Sequence, residues 1–461
     1  MRRPLALFAV AIAATVALPV LSVGANLFAG GTGATWSHLA ETVLGEYVLN
    51  SLLLCLGVGL GVAALGTGAA WLVSLYEFPG RRLFEWALLL PMAMPAYVMA
   101  YTYTDFLQFV GPVQTGLRES FGWRRGDYWF PDVRTLGGAV AMFSCVLYPY
   151  VYLLVRTAFV ERAGGLVDAA RVLGLSHFAT FVRVSLPLAR PAIVAGVALA
   201  LMETLADYGT VAYFAVSTFT TGIYRAWFSL GDRVAAAQLA ACLLGFVLLL
   251  LALERLSRGR ARYHAGTGRG APRRRPLTGA RAGLAAAACA LPLIAGFLLP
   301  AGLLVNMALG EGDAEFGERY WLLARNSFVL AALAATLAAL LAVLLAYGAR
   351  GARGMLPKLA NRLVGLGYAV PGSVIAVGVL IPVTRLDHWL GGLWQQVYGT
   401  HPGLLLTGGI AALIYAYLAR FLSIALQTVE TGLGRVTTSM DAAARSLGSG
   451  PAETLRRVHL P

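Results

Sequence analysis

The stretch NSFVLAALAATLAALLAVLLAYG, from Asn326 to Gly348, contains no charged residue. An α-helix needs about 20 apolar residues to cross roughly 30 Å of hydrocarbon, so this stretch is long enough to span a bilayer. It lacks the alternation of apolar and polar residues that is typical of a membrane β-barrel strand. The segment therefore predicts a membrane-spanning α-helix.

The composition extends this prediction to the whole chain of 461 residues. Hydrophobic residues make up 58% and charged residues 13%, with a mean hydropathy of +0.71, which is far more apolar than an ordinary soluble domain. We expect an all-α polytopic helical membrane protein with about ten spans. Their estimated bounds are 5–28, 48–75, 84–110, 136–160, 192–216, 235–253, 283–309, 326–348, 362–383 and 404–428.

The first apolar segment follows Met1-Arg2-Arg3-Pro4 and resembles a signal peptide. Its apolar run, Leu5 to Val23, is long for the core of a signal peptide, so we interpret it as an uncleaved first span, with a signal peptide as the alternative. The four cysteines all fall in apolar segments, which predicts packing roles and no disulfide or metal framework.

Basic residues lie in every second loop, beginning with the N-terminus. Because such residues tend to stay on the cytoplasmic side, the pattern predicts a cytoplasmic N-terminus. The net charge of +14 is therefore attributed to basic residues in the cytoplasmic loops. The Arg-, Gly- and Pro-rich stretch 255–281 predicts a cytoplasmic linker near anionic lipid headgroups and not a nucleic-acid site.

The chain contains an internal repeat. Asn50 and Asn326, each followed by Ser, lie 276 positions apart, and so do Pro95 and Pro371. Six predicted spans separate equivalent positions, so the repeats share one orientation, unlike inverted transporter repeats. We expect two halves of one architecture and a linker, with two further spans after the chain's last residue in a twelve-span protein of which this chain is a shortened form. The ranges are 1–254, 255–282 and 283–461.

Each half also carries a short Ala- and Gly-rich segment in a loop assigned to the cytoplasm. DAARVLG ends at Gly174 and AAARSLG ends at Gly448, 274 positions later, and in each copy a Leu-Pro follows the glycine after the same spacing, ending at Pro187 and Pro461. Glycine reaches positive φ at little cost, so both glycines predict a sharp turn after a short helix. An ordinary amphipathic interfacial helix is the alternative.

These paired segments resemble the cytoplasmic signatures of binding-protein-dependent (type I) ABC importer permeases, described as E-A-A, then G, then L-P. The resemblance includes the fused two-half form. It implies that the short helix docks in a cleft of an ATPase subunit, with Arg171 and Arg445 available to carboxylates of the partner. The first coupling loop then comprises Asp168, Ala169, Ala170, Arg171, Gly174 and Pro187.

The second copy departs from the pattern, because Ala442 occupies the acidic position and Asp441 is displaced by one residue. This leaves its acidic contact open. The second coupling loop comprises Asp441, Ala443, Ala444, Arg445, Gly448 and Pro461.

The chain has no ATP-hydrolysing motif of its own. Its sole lysine, Lys358, follows a proline and precedes a leucine, so no Gly-Lys-Ser/Thr phosphate loop exists. The resemblance implies a transport subunit and not an enzyme, in the inner membrane of a bacterium and without a bound cofactor. Its expected partners are a cytoplasmic ATPase dimer that holds ATP and Mg, a periplasmic substrate-binding protein and the lipid bilayer, with no nucleic acid.

Two acidic residues, Glu203 and Asp207, fall near the middle of the predicted fifth span. Their spacing of four predicts a shared helical face, with Tyr208 beside them. Intramembrane charge is costly and marks candidate sites, and oxygen ligands suit hard cations. Hydrogen bonding to neighbouring helices is the structural alternative. Three tyrosines of span three, Tyr97, Tyr101 and Tyr103, are further candidates, although packing roles are favoured.

The segment 202–240 resembles the corresponding part of ferric-iron importer permeases, including Glu203, Asp207 and Gly231-Asp232-Arg233. That resemblance implies ferric iron delivered by a periplasmic binding protein, and we assign no metal ligand firmly. A thiamine or other small-solute ABC importer permease is the alternative within the family. An ion-coupled secondary transporter, with the two acids as proton or sodium sites, is the alternative from another class.

Overall fold

The architecture is taken from a computed structural model. It describes residues 2–162, 164–258, 274–310, 317–351, 355–400 and 402–459. Helices dominate these ranges, as the composition predicts.

The first part of the chain, up to the linker, forms thirteen α-helices. Their bounds are α1 Arg2–Asn26, α2 Gly33–Thr42, α3 Leu44–Leu75, α4 Arg81–Ala87, α5 Ala96–Leu107, α6 Pro112–Phe121, α7 Leu136–Arg162, α8 Gly164–Val172, α9 His177–Thr180, α10 Leu186–Ala206, α11 Gly209–Tyr213, α12 Phe219–Tyr224 and α13 Arg233–Arg258.

The rest of the described chain adds eight α-helices, namely α14 Gly279–Leu293, α15 Leu299–Gly310, α16 Glu318–Gly351, α17 Met355–Gly365, α18 Gly372–Tyr398, α19 Ile410–Arg435, α20 Thr438–Ser446 and α21 Pro451–Thr454. Two short strands, β1 Tyr76–Glu77 and β2 Arg275–Pro276, pair in parallel. The remaining helical turns are 3₁₀ at Leu90–Ala93 and Gly367–Ala369, and π at Phe181–Ser185, Arg225–Ser229, Ile294–Leu298 and Leu455–His459.

Nine helices of the described chain are long and apolar enough to cross a membrane, and one bent pair brings the number to ten. The number of predicted spans and the all-α class are therefore confirmed. The predicted third span, however, is broken: Arg81–Ala93 and Ala96–Phe121 meet at an angle of 90°. Met94 and Pro95 lie at the break, both in extended conformation (φ −87°, ψ 115° and φ −61°, ψ 132°). A proline disfavours helical geometry in the residue before it, which here is Met94.

The predicted fifth span starts earlier and ends earlier than expected. Helical structure runs from His177 to Ala206, through the π-helical turn before Pro187. Pro187, predicted to lie in a loop before this span, therefore lies within the helical run. A π turn changes the hydrogen-bonding register of a helix, and Pro187, which has no N–H to donate, follows that turn as the second residue of α10.

Close helix packing depends on glycine at the interface between α3 and α7. A Cβ added to Gly66 would lie 2.7 Å from Cβ of Val151 and 2.8 Å from the carbonyl oxygen of Tyr148. On α10, a Cβ at Gly196 would lie 2.6 Å from Cα of the same valine. Without a side chain at these two positions, the backbones of α3 and α10 can approach α7 closely, as is usual between membrane helices.

The chain divides into two compact units that cut across the sequence halves. One comprises residues 1–32, 232–241 and 316–461, and the other residues 33–231 and 242–315. In the first unit, α1 packs against α16, α17 and α18; in the second, α14 and α15 pack against α3 and α5. The first helix of each predicted half thus packs on helices of the other half. The division into halves at 254 and 283 stays a prediction of the sequence repeat.

Candidate functional site

The first signature segment forms α8 and ends in a left-handed glycine. Gly174 has φ +85°. The N–H of Leu175 donates to the carbonyl of Ala170 at 3.1 Å, and the N–H of Gly174 donates to that of Arg171 at 2.9 Å. These two bonds define a Schellman turn, which satisfies carbonyl groups at the end of the helix.

The second signature segment, α20, ends in the same way. Gly448 has φ +81°, and the N–H of Ser449 donates to the carbonyl of Ala444 at 3.0 Å. The prediction that both glycines adopt positive φ after a short helix is therefore confirmed. Their part in docking a partner stays a prediction.

The alanines of the two helices divide into an inner and an outer pair. Ala170 and Ala444 are 6% and 8% exposed and pack inward. Ala169 and Ala443 are exposed. Each helix therefore presents a small side chain on its outer surface, where another backbone could approach closely.

Several predicted loop residues are only partly described or lie outside the described residues. The backbone of Asp168 belongs to α8 and that of Arg445 to α20. Pro461 lies outside the described residues. In the first loop, a guanidinium nitrogen of Arg171 lies 2.9 Å from Nε2 of His177.

The displaced acid of the second copy is engaged within the chain. Oδ2 of Asp441 lies 2.9 Å from a guanidinium nitrogen of Arg350, and Oδ1 lies 2.7 Å from Nε2 of His459. Arg350 also donates to the carbonyls of Leu433 and Val436, both at 2.7 Å. Partial burial opposes ionisation, but the hydrogen bonds from His459 and Arg350 hold the pKa of Asp441 below its ordinary value. The carboxylate therefore fastens α20 to the ends of α16 and α19.

A further pair of polar contacts escaped the sequence reasoning. Arg156 of α7 forms an ion pair with Glu85 of α4. In the second half, Asn361 of α17 donates to Glu430 of α19 at 2.7 Å. Glu430 lies 274 positions after Arg156, and Asn361 lies 276 positions after Glu85, so the repeat offsets, applied to charged residues, would have found both pairs.

The predicted acidic pair of the fifth span has a different geometry. Glu203 lies in the last turn of α10, which ends at Ala206. Asp207 follows the helix with extended backbone (φ −75°, ψ 130°). The prediction that the two acids share a helical face near the middle of the span is therefore wrong.

Asp207 instead organises the turn that follows. Its Oδ1 accepts a hydrogen bond from the N–H of Thr210 at 2.7 Å, in the first turn of α11. Its carbonyl oxygen accepts one from Oγ1 of Thr220 at 3.0 Å. An aspartate that bonds to backbone N–H groups ahead of it favours a helix start over a helix interior, which explains why α10 stops here.

Tyrosines surround the two breaks, and a Cβ at Gly209 would lie 3.2 Å from the ring of Tyr97. The exposed ring of Tyr208 stacks on Tyr224 at 3.9 Å. Tyr97 and Tyr101 are exposed and contact Tyr213 edge-on. Tyr103 is instead buried, and its hydroxyl donates to the carbonyl of Ala295 at 2.7 Å, so it packs α5 against the π turn after α14.

The break thus gathers oxygen donors without forming a finished metal centre. Glu203, one turn before Asp207, is half-buried. Within the described residues, no group of three His, Cys, Asp or Glu side chains could hold a metal ion. Phenol and carboxylate oxygens of this kind suit brief contacts with a hard cation.

Comparison with known proteins identifies the architecture. Residues 63–263 match the family described as binding-protein-dependent transport system inner membrane component. A little under half of the chain therefore matches this family of permease components. This segment includes α8 with its left-handed glycine and both acids at the end of α10.

The relatives to which the chain is similar are named for different cargoes. The chain is similar over its full length to the Fe(3+)-transport system permease protein FbpB 2 of Haemophilus influenzae, at 27% identity and 85% coverage of that protein. A probable sulfate permease of Chlorokybus atmophyticus is 34% identical over 38% of this chain and 59% of its own length. The molybdenum permease ModB of Escherichia coli is 29% identical over 42% of this chain and 85% of its own length.

Proposed function

We propose that this permease moves ferric iron from a periplasmic binding protein into the cytoplasm. The observation that carries the proposal is that similarity to the Fe(3+)-transport permease extends over the whole chain, whereas the sulfate and molybdenum relatives cited above cover 38% and 42% of it. The oxygen donors at the end of α10 agree with a hard cation as cargo.

Energy would come from an ATPase dimer that binds ATP and Mg and docks on α8 and α20. Two features support this assignment. Both helices end in the same Schellman turn, and both present an exposed alanine. The chain itself would then bind no cofactor and catalyse no reaction, and its N-terminus would lie in the cytoplasm.

A second candidate cargo is an oxyanion. A cavity of about 370 Å³ is lined by Asn26, Arg233, Thr384, Arg385 and His388, among others. Arginine and histidine within membrane helices are costly and mark candidate pathways. This lining, together with the sulfate and molybdenum relatives, favours an anion as the alternative to the iron cation.

Transport by proteoliposomes decides between the cargoes. The protein is reconstituted with its ATPase and binding protein, and ATP-dependent uptake of radioactive ferric iron, sulfate, molybdate and thiamine is compared. Saturable uptake of iron alone supports the proposal. Uptake of sulfate or molybdate without iron would replace it with the oxyanion candidate, and uptake driven by an ion gradient without ATP would remove the ABC mechanism.

Docking is tested separately, by co-purification with the ATPase. Gly174→Asp and Gly448→Asp place a side chain and a charge at left-handed positions, and we expect both to insert normally while losing the partner. Gly432→Asp, at a helical glycine of α19 with open space around it, is the matched control. Retention of the ATPase by both signature variants would contradict the docking assignment.

A further inference from the structure

A cleft opens beside the first signature helix, where α3 ends and α9 begins. It is shallow and open, with a cavity volume of about 20 Å³. Its aromatic wall consists of Trp71, Tyr76 and Phe181, with ring centroids 5.1 Å apart for the first pair and 4.5 Å between Trp71 and Phe181. Aromatic rings of this kind are typical of the boundary between hydrocarbon and headgroups.

Three basic side chains line the same cleft. Arg171 comes from α8 and His177 from the start of α9, with their nitrogens 2.9 Å apart. Arg275 comes from the segment after the linker, and the pairing of β1 with β2 holds it opposite Tyr76. A hydrogen bond from the N–H of Leu277 to the carbonyl of Glu77, at 2.8 Å, fixes this segment in place.

The two arginines of the cleft lack a counter-charge among the described residues. Neither Arg171 nor Arg275 forms an ion pair there, and the neighbouring acid of β1, Glu77, pairs with Arg81 at 2.9 Å. Burial and the charges of Arg171, Arg275 and Arg281 disfavour protonation of His177, so the positive charge of the cleft comes from its arginines. Such a cluster is stabilised by an anion from outside, because like charges at close range repel each other.

At the repeat-equivalent positions of the second half, a carboxylate of the chain itself neutralises the basic side chains. There Asp441 bonds to His459 and Arg350. The residues 274 positions before Asp441 and His459 are Val167 and Ser185, and both line the cleft. The first half therefore has an apolar side chain where the second half has its carboxylate.

We propose that this cleft binds a phosphate group, supplied by the headgroup of an anionic phospholipid. Candidate spans end at Leu75 and begin at His177, so the cleft lies at the level of the headgroups. Guanidinium groups bind phosphate through directed, charge-assisted hydrogen bonds. Basic pockets between membrane helices are known to receive anionic headgroups. The lipid phosphate takes the place that Asp441 holds in the second half.

The test measures lipid that stays bound to the purified full chain. The protein is exchanged into phosphatidylglycerol or phosphatidylcholine, washed with detergent and analysed by native mass spectrometry. Arg171→Gln and Arg275→Gln remove one charge each, and Val167→Asp supplies the missing carboxylate from within. Arg82→Gln, at an exposed arginine of α4 outside the cleft, is the matched control. Arg275 is exposed, so its variant tests the cleft even if Val167→Asp fails to fold.

Wild type and Arg82→Gln should retain phosphatidylglycerol over phosphatidylcholine, and each arginine variant should retain it about fivefold more weakly. Val167→Asp should also lose it. Suppose instead that lipid-free protein binds radioactive inorganic phosphate through the same residues and that the protein shows no preference between the two lipids. The cleft would then be a phosphate site whose ligand is a soluble phosphate and not a lipid headgroup.

Two results would overturn the proposal. The first is retention of phosphatidylglycerol by all three cleft variants at the level of the Arg82→Gln control. The second is unchanged lipid together with loss of the ATPase, which would make the cleft a receptor for an acidic side chain of that partner. Neither measurement involves iron uptake, so the proposal of a lipid site and the proposal of ferric iron as cargo can be refuted independently.

Discussion

The guanidinium of Arg350 lies 2.9 Å from the carboxylate of Asp441. The pair joins the end of a membrane helix, α16, to the second signature helix, and both side chains are about one fifth exposed. The contact therefore fixes the position of α20 relative to the end of α16, and the position 274 residues before Asp441 is the apolar Val167.

This pair predicts an acid-dependent loosening of α20. Because the pKa of Asp441 is depressed in the folded protein, its contribution is fully present above the ordinary aspartate pKa of about 3.9 and is lost as pH falls through the lower, folded-state value. Hydrogen exchange of residues 438–446, corrected for intrinsic rates, should accelerate in that window. Asp441→Asn should exchange faster at neutral pH and show no such step; a step that persists in this variant would assign the effect to another group.

The left-handed glycines predict a backbone cost that is independent of packing. A Cβ at Gly174 or Gly448 would meet nothing within 4 Å, so Ala at either position should destabilise the helix end by about 1–2 kcal/mol through its φ alone. Asn, which tolerates this conformation better, should cost less than Ala. Local hydrogen exchange of α8 and α20 measures both; equal protection in the Gly, Ala and Asn forms would show that the turn opens in solution.

Replacing Gly66, at the interface between α3 and α7, by a larger residue should create a packing defect. Gly66→Ala should lower the free energy of unfolding by about 1–3 kcal/mol, because its Cβ would overlap Val151 and the backbone of α7. Gly68→Ala, one half-turn away with nothing within 4 Å, should leave stability unchanged or slightly raised. Thermal unfolding in detergent compares the two, and similar melting temperatures would mean that the helices separate more easily than their packing indicates.

Substitutions of the two acids at the end of α10 should have different effects on transport and on stability. Glu203→Gln removes a half-buried charge from the last turn of α10 and should slow the proposed iron uptake, with normal folding. Asp207→Ala removes the cap of α11 and should cost about 1 kcal/mol of stability, whereas Asp207→Asn keeps an acceptor oxygen for Thr210. Uptake and thermal stability are measured together. Normal uptake by Glu203→Gln would exclude this carboxylate from the pathway.

The sequence predicts those features that depend on local composition or on one backbone position. Span number follows from hydropathy, and the turns at Gly174 and Gly448 follow from the freedom of glycine. Hydropathy does not detect a backbone break inside an apolar run. Both breaks were therefore missed, although Pro95 and the capping aspartate at Asp207 are residue types that favour them.

Contacts between distant positions are beyond such reasoning. Arg350 and Asp441 are 91 residues apart, and no spacing rule joins them. The cleft could be inferred only in part, because the sequence makes Arg171 available to a carboxylate of a partner but does not place His177 or Arg275 in the same cleft. Comparing charges between repeat-equivalent positions, as at Arg156 and Glu430, is the sequence signal that would have indicated the difference between the halves.

The first helix of each predicted half packs on helices of the other half, and this has a consequence for biosynthesis. When α1 leaves the ribosome, the helices that cover its inner face, α16, α17 and α18, have not yet been made. It must wait in the lipid, where a close contact such as that of Gly378 with the backbone of Pro19 cannot yet form. Each unit therefore closes only after chain from both halves has entered the membrane, so the order of translation delays a finished pathway until both halves are present.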